Sequence, residues 1–591
     1  MPFDSVRSSF MQLETKLSGL AFRDALLLDI ACALSVHAVY KHYEPDASLF
    51  VSHLLLLIAV PALPAICFLH HLDGSIAIAI LCSFSLFYFT LAVSIVSYRL
   101  SPLHPLATYP GPLLAKITKF WGASMTTKGK YHVCLKNLHE KYGPYVRIGP
   151  NEISVLDVSV ISSVLGADGM PKGPLWSGRV PKGETPSLIA TRSFHEHARR
   201  RKRWNRAFNS MAVKGYEAII QKRALQLVDE LEKRSTKYEV SSVNLAEWLS
   251  YFSTDFMGDM AFGGGFELMR DGYDKDGIWM MIESGLRSVA FFQHIPWLVP
   301  LIHMLPFKNR VNRDILEFGR KRARARQTTG SLTKDLFYHL IDEDHVEPAP
   351  PGDDEIVSDG LLAITAGSDT TSTTLSGLFY HLLSNPLEYK HLQRELDAAF
   401  PPGGGDPFDS TKLSELPFLN AVINEAMRLQ PAVPSCLQRS PAAGSGGKCI
   451  GDSFITEGTA VVIPLYALFR NPAYFSPAPD SFWPERWQHQ SAVKRTPHSA
   501  ASVPQAAAAE PESDSEVITN TAAFIPFSYG PAHCAGRALA ITEMRMVVAL
   551  LMQRFELRFA PDYEPHEWEE SLEDFFIFCN GPLRVSLKPR M

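Results

Sequence analysis

The chain has 591 residues, 46% of them hydrophobic and 20% charged, with a formal net charge of -5. That length allows several domains or one large domain with extensions, and the near balance of charge gives no electrostatic footprint for nucleic-acid binding. The 8 cysteines are scattered without a C-x-x-C pair, which argues against a disulfide scaffold or zinc site and for a reducing, cytosol-facing catalytic domain.

Residues 1–19 are polar enough to lie outside any core. Three apolar stretches come next. Ala21–Tyr40 is the weakest as a membrane span, being interrupted by Arg23, Asp24, Asp29 and His37. Phe50–Leu69 holds Pro61 and Pro64, and Ile76–Tyr98 is uncharged and the strongest. About 20 apolar residues cross a bilayer, so residues 1–100 read as an anchor region with one to three transmembrane helices. Arg99, Lys116 and Lys119 place the chain beyond residue 99 on the cytoplasmic side. Residues 101–112, rich in proline, read as a stiff extended hinge, and 113–591 as the catalytic domain.

Tyr145–Val155 alternates apolar residues about a Gly-Pro-Asn turn and predicts a hairpin. His195–Phe208 is a basic helix whose arginines read mostly as a solvated face, with one or two free to reach a buried anion. Asp354–Ser384 predicts a central helix, weakened at Ala366-Gly-Ser-Asp-Thr-Thr371. That midpoint suggests either a functional distortion or ordinary hydroxyl back-bonding. Leu413–Leu429 predicts a helix with Glu425 and Arg428 on one face. Residues 488–521, dominated by Ala, Ser, Pro and Gln, read as a disordered insertion. The end of the chain reads as a strand-like pair, Phe575–Phe578 and Leu583–Leu587.

In Phe524-Ile-Pro-Phe-Ser-Tyr-Gly-Pro-Ala-His-Cys534-Ala-Gly536 a cysteine stands between two glycines, Gly530 and Gly536, just ahead of a helix running from Arg537 to Phe555. The helix start favours a thiolate, through its unpaired N–H groups and its dipole. Glycines let amides approach the sulfur. An inert structural cysteine is the alternative.

Four features share one order: Ala-Gly-x-Asp-Thr, Glu-x-x-Arg, Phe-x-Pro-Glu-Arg-Trp, and Phe-x-x-Gly-x-x-x-Cys-x-Gly. Together they resemble the cytochrome P-450 superfamily of haem-thiolate monooxygenases over roughly residues 105–590, in a membrane-anchored, fungal style. The resemblance implies a mainly α fold with small β-sheets. It also implies haem b (iron-protoporphyrin IX), with Cys534 as the axial iron ligand and Phe527, Gly530 and Gly536 shaping the loop around it. Glu425, Arg428 and Arg486 would form a buried charge triad. Asp369 and Thr370 would deliver protons during oxygen activation, with Ala366 and Gly367 leaving room there. Arg201, four residues after His197, and Arg439 become candidates for the haem propionates. Two departures stand out: Ala532 occupies the position of a usual propionate-binding arginine, and Phe469 that of a usual histidine.

The same resemblance implies insertion of one atom of O2 into a hydrophobic small molecule, in fungal secondary metabolism. Electrons would come from NADPH through a separate reductase, at the endoplasmic-reticulum membrane with the catalytic domain in the cytosol. A haem-thiolate isomerase, dehydratase or peroxygenase, or a non-catalytic haem sensor, is the rival reading. The pocket-lining stretches implied are Pro171–Thr191, Phe291–Pro306, Ala363–Ala366, Ala432–Leu437 and Phe576–Pro582. They are largely apolar, which suggests a terpenoid, aromatic or fatty-acid-like substrate.

Overall fold

The computed structural model describes residues 20–42, 50–72, 74–180, 183–237, 242–299, 310–330, 333–401, 404–488 and 517–590. The polar segment 1–19, and 489–516 of the expected insertion, lie outside the described residues. The chain is mainly helical with small sheets.

Helices α1 (Phe22–His42), α2 (Phe50–His71) and α3 (Ile76–Leu100) pack on one another. Among the described residues, two helices, those of α2 and α3, are long and apolar enough to cross a membrane. Asp29 of α1 is fully buried, with Ser83 Oγ of α3 3.4 Å from its carboxylate. Pro61 has no N–H, so the Leu57 carbonyl loses its helical donor. The Tyr88 hydroxyl of α3 donates to that carbonyl at 3.1 Å, and Ser83 donates to the Pro61 carbonyl at 2.7 Å.

The expected extended hinge is instead a run of turns docked on the chain around Arg147. Arg147 N donates to Pro110 O (2.7 Å) and Arg147 Nη1 to Arg99 O (3.0 Å), while His104 and Leu106 are buried. Proline's fixed φ suits consecutive turns as well as an extended chain.

Beyond it the landmarks are α4 (Phe194–Ala207), α5 (Leu245–Phe262), α6 (Ile278–Phe292), α7 (Asp353–Ser384), α8 (Pro417–Leu429) and α9 (Arg537–Arg554). One sheet takes β1 (Tyr145–Gly149), β2 (Glu152–Val155), β4 (Leu437–Arg439) and β5 (Ala460–Ile463) in the order β1-β2-β5-β4. The expected hairpin is β1–β2, and β2 runs parallel to β5 with Ile153 opposite Val461. A second sheet orders β6 (Phe555–Phe559), β7 (Arg584–Pro589) and β3 (Val243–Asn244) as β6-β7-β3. The two C-terminal segments expected to pair do not. Phe578 and Cys579 pair with Asp574 and Glu573, and β7 pairs with β6 and β3.

α7 runs through the core. Three acids in its first turn favour its N-terminus, and it ends at Asn385, where Pro386 disfavours a helical residue. It is unbroken at its polar midpoint. Thr365, Ser368, Thr370 and Thr374 each donate to the carbonyl four residues back at 2.7–3.0 Å, so back-bonding accounts for these hydroxyls. A Cβ on Gly367 would meet Met257 Sδ at 2.5 Å, so this glycine makes room for α5. The expected helix 413–429 is two helices, because Pro417 begins a new one after extended Leu416.

The basic helix α4 corrects the solvated-face reading. Arg200 and Arg203 are each 1% exposed. Both pair with Glu355 of α7, and Arg200 lies 3.6 Å from Asp359. Buried arginines are stable when matched by buried carboxylates from another helix, a pairing that sequence spacing along α4 does not reveal.

Candidate active site

α7 and the cysteine loop with α9 both line a cavity of about 320 Å³, within the ~300–1,000 Å³ of small-molecule sites. Its wall takes residues from four of the five stretches expected: Leu188, Ala363, Val433 and Phe576 are examples. From the fifth region the structure offers Leu286 of α6 rather than a residue of 291–299, and 300–309 lies outside the described residues.

Cys534 is exposed, and it is one of the cavity-lining residues. Its N–H donates to Phe527 O at 2.8 Å, which closes the loop. Enclosure within the protein's cavity, away from bulk water, pushes the thiol up, while the N–H groups of Gly536 and Arg537 and the charge of Arg201 pull it down. Gly530 has φ 73°, and a Cβ there would meet Leu165 O at 2.1 Å. Only glycine fits such a position without moving the loop. At Gly536 a Cβ would lie 4.0 Å from Cys534 Sγ, beside the sulfur's own approach. Phe527 also lines the cavity, with the Arg537 guanidinium 5.9 Å from its ring centre.

Lys172, Arg201 and Arg439 line the same cavity at 7%, 8% and 4% exposure. Lys172 donates to Leu188 O at 2.9 Å, Arg201 to Asn205 Oδ1 at 2.8 Å and His533 O at 2.6 Å, and Arg439 to Gln438 O at 3.0 Å. None of the three forms an ion pair among the described residues. Burial, with the charges of Arg439 and Arg201, pushes the Lys172 ammonium well below its usual range. His533 Nδ1 lies 2.7 Å from Gly530 O, so the ring is tied back to its own loop.

Thr370 lines the cavity and Asp369 does not. Asp369 Oδ2 is buried without a partner, and Oδ1 lies 3.5 Å from Ser368 Oγ. Burial, then the charge of Glu283 on α6, pushes this carboxyl up to about 7. The acid and the alcohol expected to work together are adjacent in sequence, with only the alcohol at the wall.

Glu425, Arg428 and Arg486 do meet, all at 1% exposure or less. Arg428 donates to both Glu425 oxygens at 2.8 Å, and Arg486 Nε to Oε1 at 3.1 Å. The carboxylate also accepts from Trp483 N and Trp487 Nε1 at 2.9 Å. Trp487 then packs on Phe524, the first residue of the cysteine loop, with ring centres 4.5 Å apart. Phe469 is fully buried on Phe524, and its carbonyl accepts from Arg428 at 2.8 Å. It belongs to this brace, not to the cavity.

Sequence reasoning expected the stretch 171–191 at the pocket but singled out none of Lys172, Trp176 and Arg179, all cavity-lining. The available signal was a buried-type tryptophan with two cations in Pro171-Lys-Gly-Pro-Leu-Trp-Ser-Gly-Arg179, a loop whose direction no periodicity fixes.

A family model described as Cytochrome P450 matches residues 110–587. The chain is 32% identical over 571 residues to a protein named Cytochrome P450 67 from Uromyces fabae, covering 95% of this chain and 99% of that one. It is 32% identical over 506 residues to Cytochrome P450 monooxygenase FCK2 of Fusarium pseudograminearum, with 85% of each covered. It is 30% identical over 506 residues to Tryprostatin B 6-hydroxylase of Neosartorya fischeri, again with 85% of each covered. One family domain therefore spans the cavity, the buried brace and the cysteine loop, and the chain belongs to the cytochrome P450 family of haem monooxygenases.

Proposed function

We propose that this protein holds haem b through Cys534 and hydroxylates or epoxidises a hydrophobic small molecule in fungal secondary metabolism. The observation that carries this is the Cys534 side chain open to an apolar cavity that Thr370 also lines, beside three buried basic side chains with no carboxylate partner among the described residues. A porphyrin brings an apolar plate and two carboxylates, and these residues fit both. Arg201, Arg439 and Lys172 would hold the propionates, with Lys172 taking up the role that Ala532 cannot fill. When bound, haem supplies the oxygen-activating chemistry.

The chain's own residues do the rest. The amides of Gly536 and Arg537 steady the Cys534 thiolate. Asp369 holds a proton near neutral pH, and Thr370 passes protons on at the cavity wall. The apolar lining excludes bulk water, so protons enter by that route. Electrons come from NADPH through a separate reductase that docks near Cys534. The apolar helices α2 and α3 hold the protein in the endoplasmic-reticulum membrane with the catalytic portion in the cytosol. Residues 1–100 act as anchor and 113–591 as the catalytic domain. The relatives named for hydroxylation of tryprostatin B and for monooxygenation support this class of reaction.

Thr370→Ala is expected to leave reductase-driven oxygen consumption running while product per oxygen falls several-fold. Unchanged coupling, measured as product formed against NADPH used, would contradict the role given to Thr370.

A further inference from the structure

Arg179 ends the turn Pro174–Arg179 and lines the cavity. Its guanidinium lies 4.0 Å from the ring centre of Phe576 and 6.0 Å from that of Trp176. Its Nη1 donates to Gln293 Oε1 at 2.8 Å. Among the described residues no carboxylate pairs with it. The acidic group nearest to it in effect is the Cys436 thiol, which burial pushes up to about 12, so it supplies no counter-charge at neutral pH. Burial lowers Arg179 itself to about 10, so it stays charged at neutral pH.

The cage around this cation is built, not incidental. Phe576 holds φ 87°, a costly conformation for a bulky residue, and its N–H donates to Asp574 Oδ1 at 3.1 Å. Trp176 packs edge-on against Phe576 with ring centres 5.5 Å apart. Trp176 is 3% exposed, and its indole N–H has no partner. The cavity wall thus carries a charged fork held by this loop.

This cation is separate from the three assigned to the propionates. Its guanidinium is held over Phe576 and donates to Gln293, partners that none of those three has, although Lys172 Nζ also lies 5.6 Å from the Trp176 ring centre. Leu286, Leu362 and Ile577 add apolar surface to the same cavity. A neutral hydrophobic ligand would leave the guanidinium without a counter-charge, held only by Gln293 and the Phe576 ring, whereas a carboxylate offers it charge-assisted hydrogen bonds. We infer that the substrate is a hydrophobic molecule bearing a carboxylate, and that Arg179 receives that carboxylate; the inference rests on the haem-monooxygenase reading above.

The test uses ligands that seat themselves on the iron: ω-imidazolyl alkanoic acids of graded chain length and their methyl esters. Binding to the full-length haem-loaded protein is followed by the shift of the haem absorption band. At one chain length or more the acid should bind at least about tenfold tighter than its ester, and Arg179→Gln should remove that preference. Where Arg179→Gln fails to retain haem, Arg179→Lys replaces it. Lysine keeps the charge but loses the fork, so the preference should fall several-fold. Equal binding of acid and ester at every length, or a preference unchanged in the variant, overturns the inference. With a normal thiolate band in the reduced carbon-monoxide spectrum, that result refutes the carboxylate alone; without the band, the haem reading falls first and takes this with it.

Discussion

Glu425→Ala is expected to cost about 3–5 kcal/mol, a large part of the ~5–15 kcal/mol that holds a typical protein folded. The carboxylate accepts from two buried guanidinium groups, one buried backbone amide and the indole of half-buried Trp487. Its removal leaves Arg428 and Arg486 charged, 0–1% exposed, and without their shared counter-charge. The loss should reach the haem site, because Trp487 and Phe469 both press on Phe524 at the head of the cysteine loop. Burial alone would raise the Glu425 pKa, but the charge of Arg428, then that of Arg486, outweighs it and holds the group below its usual value. Its stabilising effect is therefore present above the unfolded carboxylate pKa and fades as pH falls through the lower folded value. Urea titrations followed by tryptophan fluorescence and haem absorbance check this. A wild-type midpoint in Glu425→Ala would show that the brace contributes little.

Asp369→Asn should separate stability from function. Asp369 is pushed from 3.8 up to about 7. For an acid raised in the folded state, stability is undiminished below the unfolded pKa and falls as pH rises from 3.8 towards 7. At 1.36 kcal/mol per pH unit that shift corresponds to about 4 kcal/mol as an upper figure. Asn cannot ionise, so the variant should gain on wild type as pH rises through this window, with the difference constant above about 7. Product formation should fall, on the order of 100-fold, because the variant lacks the carboxyl proposed as proton donor. Thermal unfolding across about pH 4–8, paired with product yield per NADPH, measures both. A variant with wild-type yield would remove Asp369 from the proton path.

What was legible in the sequence was what local chemistry dictates. The cysteine between two glycines ahead of a helix, the Glu-x-x-Arg pair and the length of α7 are all spelled out within a few residues. The triad's third member, Arg486, could be named only through the resemblance, since it lies 61 residues from Glu425. Contacts between elements were less visible. Arg200 and Arg203 look solvent-facing until Glu355 of α7 is placed against them. Lys172 and Arg179 lie in a loop with no period to aim its side chains, and only the folded cavity shows both on its wall. Gly367 does line the cavity, and its lack of a side chain also admits Met257, which sequence does not show.

The central claim is that Cys534 donates a thiolate to haem iron. The reduced carbon-monoxide difference spectrum of the full-length protein tests it most directly, alongside Cys534→Ser. Wild type should show the strongly red-shifted band of thiolate-ligated haem, and the variant should lose it while remaining folded. A correctly folded, haem-loaded wild type without that band, or a Cys534→Ser variant that keeps it, would contradict the assignment.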